Sequence, residues 1–99
     1  MIAFYTRFKT TAENRTKLAA VLARESGAMS TVNGCRLYNV SLDVSDPTII
    51  DVTEFWTDES THEASLGTPE AKALIAEAMP LIVEKPQQAK LGQVITHWL

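Results

Sequence analysis

Residues 35–56 read CRLYNVSLDVSDPTIIDVTEFW, and this stretch decides the fold. Cys35, Leu37, Tyr38, Val40 and Leu42 interleave with polar residues and predict a strand over residues 35–42. Asp43-Val44-Ser45-Asp46-Pro47 then supplies turn formers, since Asp and Ser side chains bond nearby backbone and Pro fixes the chain direction. The β-branched and aromatic residues of Thr48-Ile49-Ile50, Val52-Thr53 and Phe55-Trp56 predict a returning strand over residues 48–56.

Upstream, residues 2–9 predict a first strand, with Ile2, Phe4 and Phe8 on one parity and Tyr5, Arg7 and Lys9 on the other. Thr10 followed three residues later by Glu13 has the form of a capping box for the next helix. That helix presents Leu18, Val21, Leu22, Glu25 and Met29 along one stripe, and the charge of Glu25 places it at the stripe's edge. Val32-Asn33-Gly34 ends the helix and turns into the strand at residue 35. Downstream, Asp58 caps a short helix through about residue 65, and Thr68 with Pro69 starts another. Its apolar face is Ala71, Leu74, Ile75, Ala78 and Ile82, and Pro80 ends its regular part near Met79. Residues 84–99 predict a last strand carrying Leu91, Val94, Ile95 and Trp98, with Gly92 marking a bulge or a close backbone contact. The order is β-α-β-β-α-β with a broken second helix, an α+β ferredoxin-like arrangement with helices on one face of an antiparallel sheet.

With 99 residues, the chain has the size of one domain, expected over residues 1–99. It is 45% hydrophobic and 21% charged, which suits a soluble globular core. A net charge of -3 gives no cationic footprint for nucleic acid, and no nucleic-acid partner is expected. The single cysteine, Cys35, excludes an internal disulfide and suits a reducing compartment. No apolar run approaches a membrane span, and at the N-terminus apolar residues precede the first positive charge, the reverse of a secretory signal. A cytoplasmic location without a membrane partner is therefore expected. Large groups on both sheet faces, Tyr5 and Phe55 among them, leave an apolar face that helices on one side cannot cover. A homodimer would cover that face twice by symmetry.

Several motifs in fixed order carry a resemblance: Gly34-Cys35-Arg36-Leu37-Tyr38, Asp46-Pro47, Glu54-Phe55-Trp56-Thr57-Asp58-Glu59, Ser65-Leu66 and Thr68-Pro69. Together they resemble the antibiotic biosynthesis monooxygenase family over most of the chain. The resemblance implies a dimeric ferredoxin-like α/β barrel. It also implies, for some members, oxygenation of aromatic compounds by molecular oxygen without metal or flavin; others degrade haem or process small metabolites. The family's tryptophan and its preceding glutamate fall on Trp56 and Glu54. Its histidine nine positions after the tryptophan falls on Ser65, the histidine after the Thr-Pro pair on Glu70, and the asparagine of quinone-forming members on Val52.

Glu54 and Trp56 share strand parity and face the same space. Trp56 is either a flat wall for an aromatic ligand or a core residue, and Glu54 either a proton acceptor beside it or a partner of Arg36. His62 titrates near neutral pH and follows this strand closely, so Glu54, Trp56 and His62 form the candidate catalytic set. Tyr38, Val52, Trp56 and Ser65 are the candidate substrate contacts, and Trp56 is expected to matter more for recognition than His62. Neither His62 nor His97 has zinc-ligand spacing, and no phosphate loop or dinucleotide fingerprint occurs, so no metal or cofactor site is expected. The expected activity is a cofactor-independent monooxygenase acting on a small aromatic or quinol-like metabolite. The alternatives are an isomerase or lyase, or a ligand-binding dimer without turnover.

Overall fold

The computed structural model describes residues 1–96. Its elements are β1 (Ile2–Lys9), α1 (Arg15–Met29), β2 (Cys35–Leu42), β3 (Ile49–Trp56), α2 (Glu59–Ser65), α3 (Pro69–Ala78) and β4 (Gln87–Gln93), with a 3-10 turn at Met79–Leu81 after α3. The four strands form one antiparallel sheet in the order β2-β3-β1-β4. This is the ferredoxin-like arrangement expected from the sequence.

The turn before β3 is closed by its own side chains. Asp43 Oδ2 accepts from the Ser45 and Asp46 amides, and Asp46 Oδ1 accepts from the Thr48 amide and hydroxyl. Leu18, Val21 and Leu22 of α1 pack on Ile50 and Val52 of β3 and on Ala78 of α3, with Leu18 and Ile50 wholly buried. The two downstream caps form as expected: Asp58 accepts from the Thr61 amide at 2.9 Å, and Thr68 from the Ala71 amide at 3.2 Å. Pro80 cannot supply the amide a continuing helix needs, and α3 accordingly stops at Ala78.

Two sequence expectations need correction. Thr10 does not cap α1. Its buried hydroxyl donates to the Leu81 carbonyl at 2.5 Å, its amide donates to Thr48, and the helix begins only at Arg15. A long-range bond has taken the group that the local motif would have used. The last strand is the polar segment Gln87–Gln93, and Val94 and Ile95 follow it instead of forming its centre. As an edge strand, β4 needs no apolar alternation, because one side of its ladder has no neighbour. Its register against β1 does shift between Ala3 and Phe4, opposite the positive-φ Gly92, so the predicted bulge is present. Trp98 and His97 lie outside the described residues.

Gly34 fixes how α2 meets the sheet. Its φ is +94°, and a Cβ at this position would lie 2.7 Å from Thr61 of α2. Its carbonyl accepts from the Thr57 amide at 2.9 Å, so the start of β2 and the end of β3 are tied where α2 departs. Only glycine combines this backbone with so close an approach. The helix is thereby held against the covered face of the sheet.

Candidate functional site

On the helix-covered face, strand register sets Glu54 directly between Tyr38 of β2 and Phe4 of β1, and Val52 between Val40 and Thr6. Trp56 lies one step further along β3, and its Nε1–H donates to Glu54 Oε1 at 3.0 Å. This bond spans two residues of one strand and is possible because alternate side chains share a face. From α2, His62 stacks on Phe4 with ring centroids 4.0 Å apart and meets Trp56 edge-on at 5.5 Å. The His62 Nε2 atom stands 4.0 Å from Glu54 Oε1. That separation is too long for a direct hydrogen bond, yet one bridging hydroxyl would reach both atoms.

Tyr38, Val52, Glu54 and His62 border a cavity of about 230 Å³ between the sheet, α1 and α3. Its walls are mainly apolar, with Phe8, Leu22, Met29, Val52 and Leu74 among them. The polar groups on its lining include Glu25, Tyr38, Glu54, His62 and Ser65. An apolar enclosure with a few convergent polar groups is the usual form of a small-molecule site. A second hollow of about 330 Å³ adjoins it towards β4 and shares Thr6, His62, Leu66 and Gln88 with the first.

Burial sets the electrostatics. It pushes the Glu54 carboxyl above its ordinary range, against the lowering effect of the Trp56 N–H, and the nearby Glu25 pushes in the same upward direction. Glu25 is itself raised by burial. The Tyr38 phenol is held far above its usual range by burial first, then by Glu54 and Glu25. Burial lowers His62, while Glu63 and Glu59 oppose it. The Glu54–His62 pair therefore does not behave as an ion pair despite its proximity. Desolvation acts on both groups and favours the neutral form of each.

The structure brings all six sequence-derived candidates to one region, in unequal roles. Tyr38, Val52, Glu54, His62 and Ser65 line the cavity. Trp56 does not. Its ring is fully buried beneath α2, so it cannot serve as the flat wall expected for an aromatic ligand, and it acts through Glu54 and His62. Of the pair expected to differ in recognition, His62 stands on the cavity lining and Trp56 behind it. Ser65 is buried and its hydroxyl donates to the His62 carbonyl at 2.6 Å, which fastens the end of α2. Glu54 takes its bond from Trp56 in place of the Arg36 alternative. Cys35 is half-buried beside this region, and burial together with Glu54 pushes its thiol up, which is unfavourable for a nucleophile.

Sequence reasoning missed Glu25 as a site residue. The signal was present: one carboxylate interrupts the apolar stripe of α1, at the point where the helix faces the cavity. Its Oε2 is fully buried and has no hydrogen-bond partner among the described residues. Ile75 and Met79 also line the cavity while remaining half-exposed, so they stand at its rim.

A four-stranded antiparallel sheet with helices on one face defines the ferredoxin-like class of α+β proteins. Within it, the chain belongs to the antibiotic biosynthesis monooxygenase family, whose pattern matches residues 1–77. No curated protein matches the sequence. Among solved structures, a Chloroflexus aurantiacus protein is 31% identical, with a TM-score of 0.81 over 98% of this chain and 96% of that one. A Deinococcus radiodurans protein is 25% identical, with a TM-score of 0.83 over 99% of both chains. A Nitrosomonas europaea protein superposes with a TM-score of 0.90 over 95% of this chain and 90% of that one, at only 10% identity, and so shares the fold alone. All three carry the family's name as a provisional assignment.

Proposed function

We propose that this monooxygenase-like protein oxygenates a small aromatic or quinol-like metabolite with molecular oxygen, the substrate itself supplying the electrons. The observation that carries this reading is the 4.0 Å gap between His62 Nε2 and Glu54 Oε1 at the cavity wall. A substrate hydroxyl seated there meets a neutral imidazole able to take its proton, while the Glu54 carboxyl hydrogen-bonds the oxygen on which the charge develops. The substrate anion then passes one electron to oxygen, and the two radicals join through a new carbon–oxygen bond to form a peroxide. The imidazolium returns its proton to that peroxide. Loss of water, with departure of the hydrogen on the reacting carbon, leaves a carbonyl. One oxygen atom stays in the product and the other leaves as water. The apolar walls align the ring and exclude solvent.

This reading assigns Glu54 and His62 to the chemistry, Trp56 to holding both, and Tyr38, Val52 and Ser65 to the substrate's surroundings. The departures from the family pattern at Ser65, Glu70 and Val52 are compatible with it. His62 lies one helical turn before Ser65, and both reach the cavity, so α2 still presents an imidazole from a shifted register. We further place the protein in the cytoplasm as a homodimer. The helix-free sheet face supports the dimer: Leu37 and Ala3 flank Phe55 there, and Tyr5 and Arg7 both donate to Asp51. Among the described residues, no helix is long and apolar enough to cross a membrane.

Oxygen uptake measured across a panel of electron-rich phenols and quinols, with a chelator present, tests the reading. At least one compound is expected to consume oxygen in step with carbonyl product. Product formed without oxygen uptake would replace this reading with an isomerase or lyase. A captured compound that is retained unchanged would replace it with ligand binding alone.

A further inference from the structure

The mechanism above leaves one buried group unused. Glu25 projects from α1 into the cavity wall, and its Oε2 has neither solvent nor a hydrogen-bond partner. The helix is pinned at this point, because the neighbouring Ser26 hydroxyl donates to the Tyr38 carbonyl of β2 at 2.8 Å. A buried acceptor left unmatched destabilises the protein, and a ligand donor that completes it removes that cost. No Lys or Arg occurs among the described residues that line the cavity. The chamber can thus accept hydrogen bonds at two carboxyls, and no lysine or arginine stands in its lining to receive an anion.

We infer that Glu25 is a specificity-determining residue, which accepts a hydrogen bond from a second donor on the ligand and turns away anionic ligands. This rests on the reading of the cavity as the substrate site and narrows the substrate class. The ligand carries one hydroxyl for the His62–Glu54 gap and a further hydroxyl or amine for Glu25, and it bears no carboxylate, sulfonate or phosphate. A site built to bond a donor discriminates strongly against an analogue lacking it, since the analogue leaves a buried acceptor unmatched. An anion fares worse. It would be desolvated beside Glu25 and Glu54 with no opposite charge, and burial already disfavours ionisation of both carboxyls.

Hydroquinone, its monomethyl ether and para-hydroxybenzoate share one ring and differ in the groups at issue. Each is titrated into the intact protein in oxygen-free buffer, and binding is followed by NMR shifts of cavity residues. Hydroquinone is expected to bind about tenfold more tightly than the ether, the equivalent of one unmatched buried acceptor. Para-hydroxybenzoate is expected to bind more weakly than the ether. Glu25→Met should erase the advantage of hydroquinone. Glu25→Gln keeps an acceptor, so it should retain that advantage, which gives a second reading should the Met variant misfold. Para-hydroxybenzoate binding the unaltered protein as tightly as hydroquinone would overturn the inference. So would an undiminished hydroquinone advantage in a folded Met variant, loss of that advantage in the Gln variant, or no shift with any of the three compounds. The expected binding order, with no oxygen consumed in air, would remove the oxygenase reading and leave this one standing.

Discussion

Trp56→Ala is expected to destabilise the protein by about 3–5 kcal/mol, the range for removing a large aromatic ring from a core. The ring is wholly buried between the sheet and α2, so its loss leaves a void that neighbouring backbone cannot readily fill. The same change deprives Glu54 of its N–H donor and His62 of its edge contact. Urea denaturation measures the effect: the midpoint should fall with little change in slope. Trp56→Phe separates the two roles, since it retains most of the volume but lacks the indole donor. It should remain folded while the Glu54 carboxyl becomes still harder to ionise. A loss below about 1 kcal/mol in Trp56→Ala would contradict the tight packing described here.

For His62→Ala, oxygen-consuming turnover is expected to fall by about 10²–10⁴-fold, the usual contribution of a positioned general base. The protein should stay folded, because His62 belongs to a short helix held by the Asp58 cap and the Ser65 bond at its end. The pH dependence follows from the direction of the shift. Burial lowers the His62 pKa, so the imidazole stays neutral to a lower pH than an ordinary histidine and is lost as a base only below that point. The acid limb of the proposed activity in the unaltered protein should therefore lie below the usual histidine value of about 6.5. Full activity in His62→Ala, or an acid limb well above that value, would remove His62 from the mechanism.

How much of this was legible beforehand depends on the range of the interactions. The β2–β3 pair was readable because β-branched runs and turn chemistry are local, and the Asp43–Asp46 turn closes with bonds inside its own segment. The Asp58 and Thr68 caps were readable for the same reason. Thr10 looked identical in kind but found its partner at Leu81, a choice made by tertiary packing that a capping motif cannot reveal. β4 was misplaced because hydrophobic alternation marks strands that are half-buried, and an exposed Gln-rich edge strand lacks it.

At the site, parity along β3 correctly put Glu54 and Trp56 on one face. Parity does not tell how deep a side chain lies. Trp56 is covered because α2 folds over it, and His62 faces inward because Gly34 and Thr61 set the seating of that helix. Glu25 was visible as a misfit in an apolar stripe. Its meaning required the cavity, which forms from elements distant in sequence.

The two reluctant carboxyls also tie the persistence of the fold to the acidity of its surroundings. For Glu25 and Glu54 the folded-state pKa lies above the unfolded value, so the native form holds these protons more tightly than the open chain does. Their contribution is fully present below the unfolded value of about 4.3, and it is lost as pH rises through the folded values. His62, whose pKa is depressed, works in the other sense: its contribution is present above about 6.5 and lost as pH falls through its folded value. Raising the pH above the unfolded carboxyl value therefore acts against the native state through the very groups that line the chamber. Melting curves gathered at several pH values, from Glu54→Gln beside the unaltered chain, should show the variant gaining ground as pH rises above about 4.3, the unfolded carboxyl value. Proton inventory thus becomes a substrate-free report on the chamber's interior.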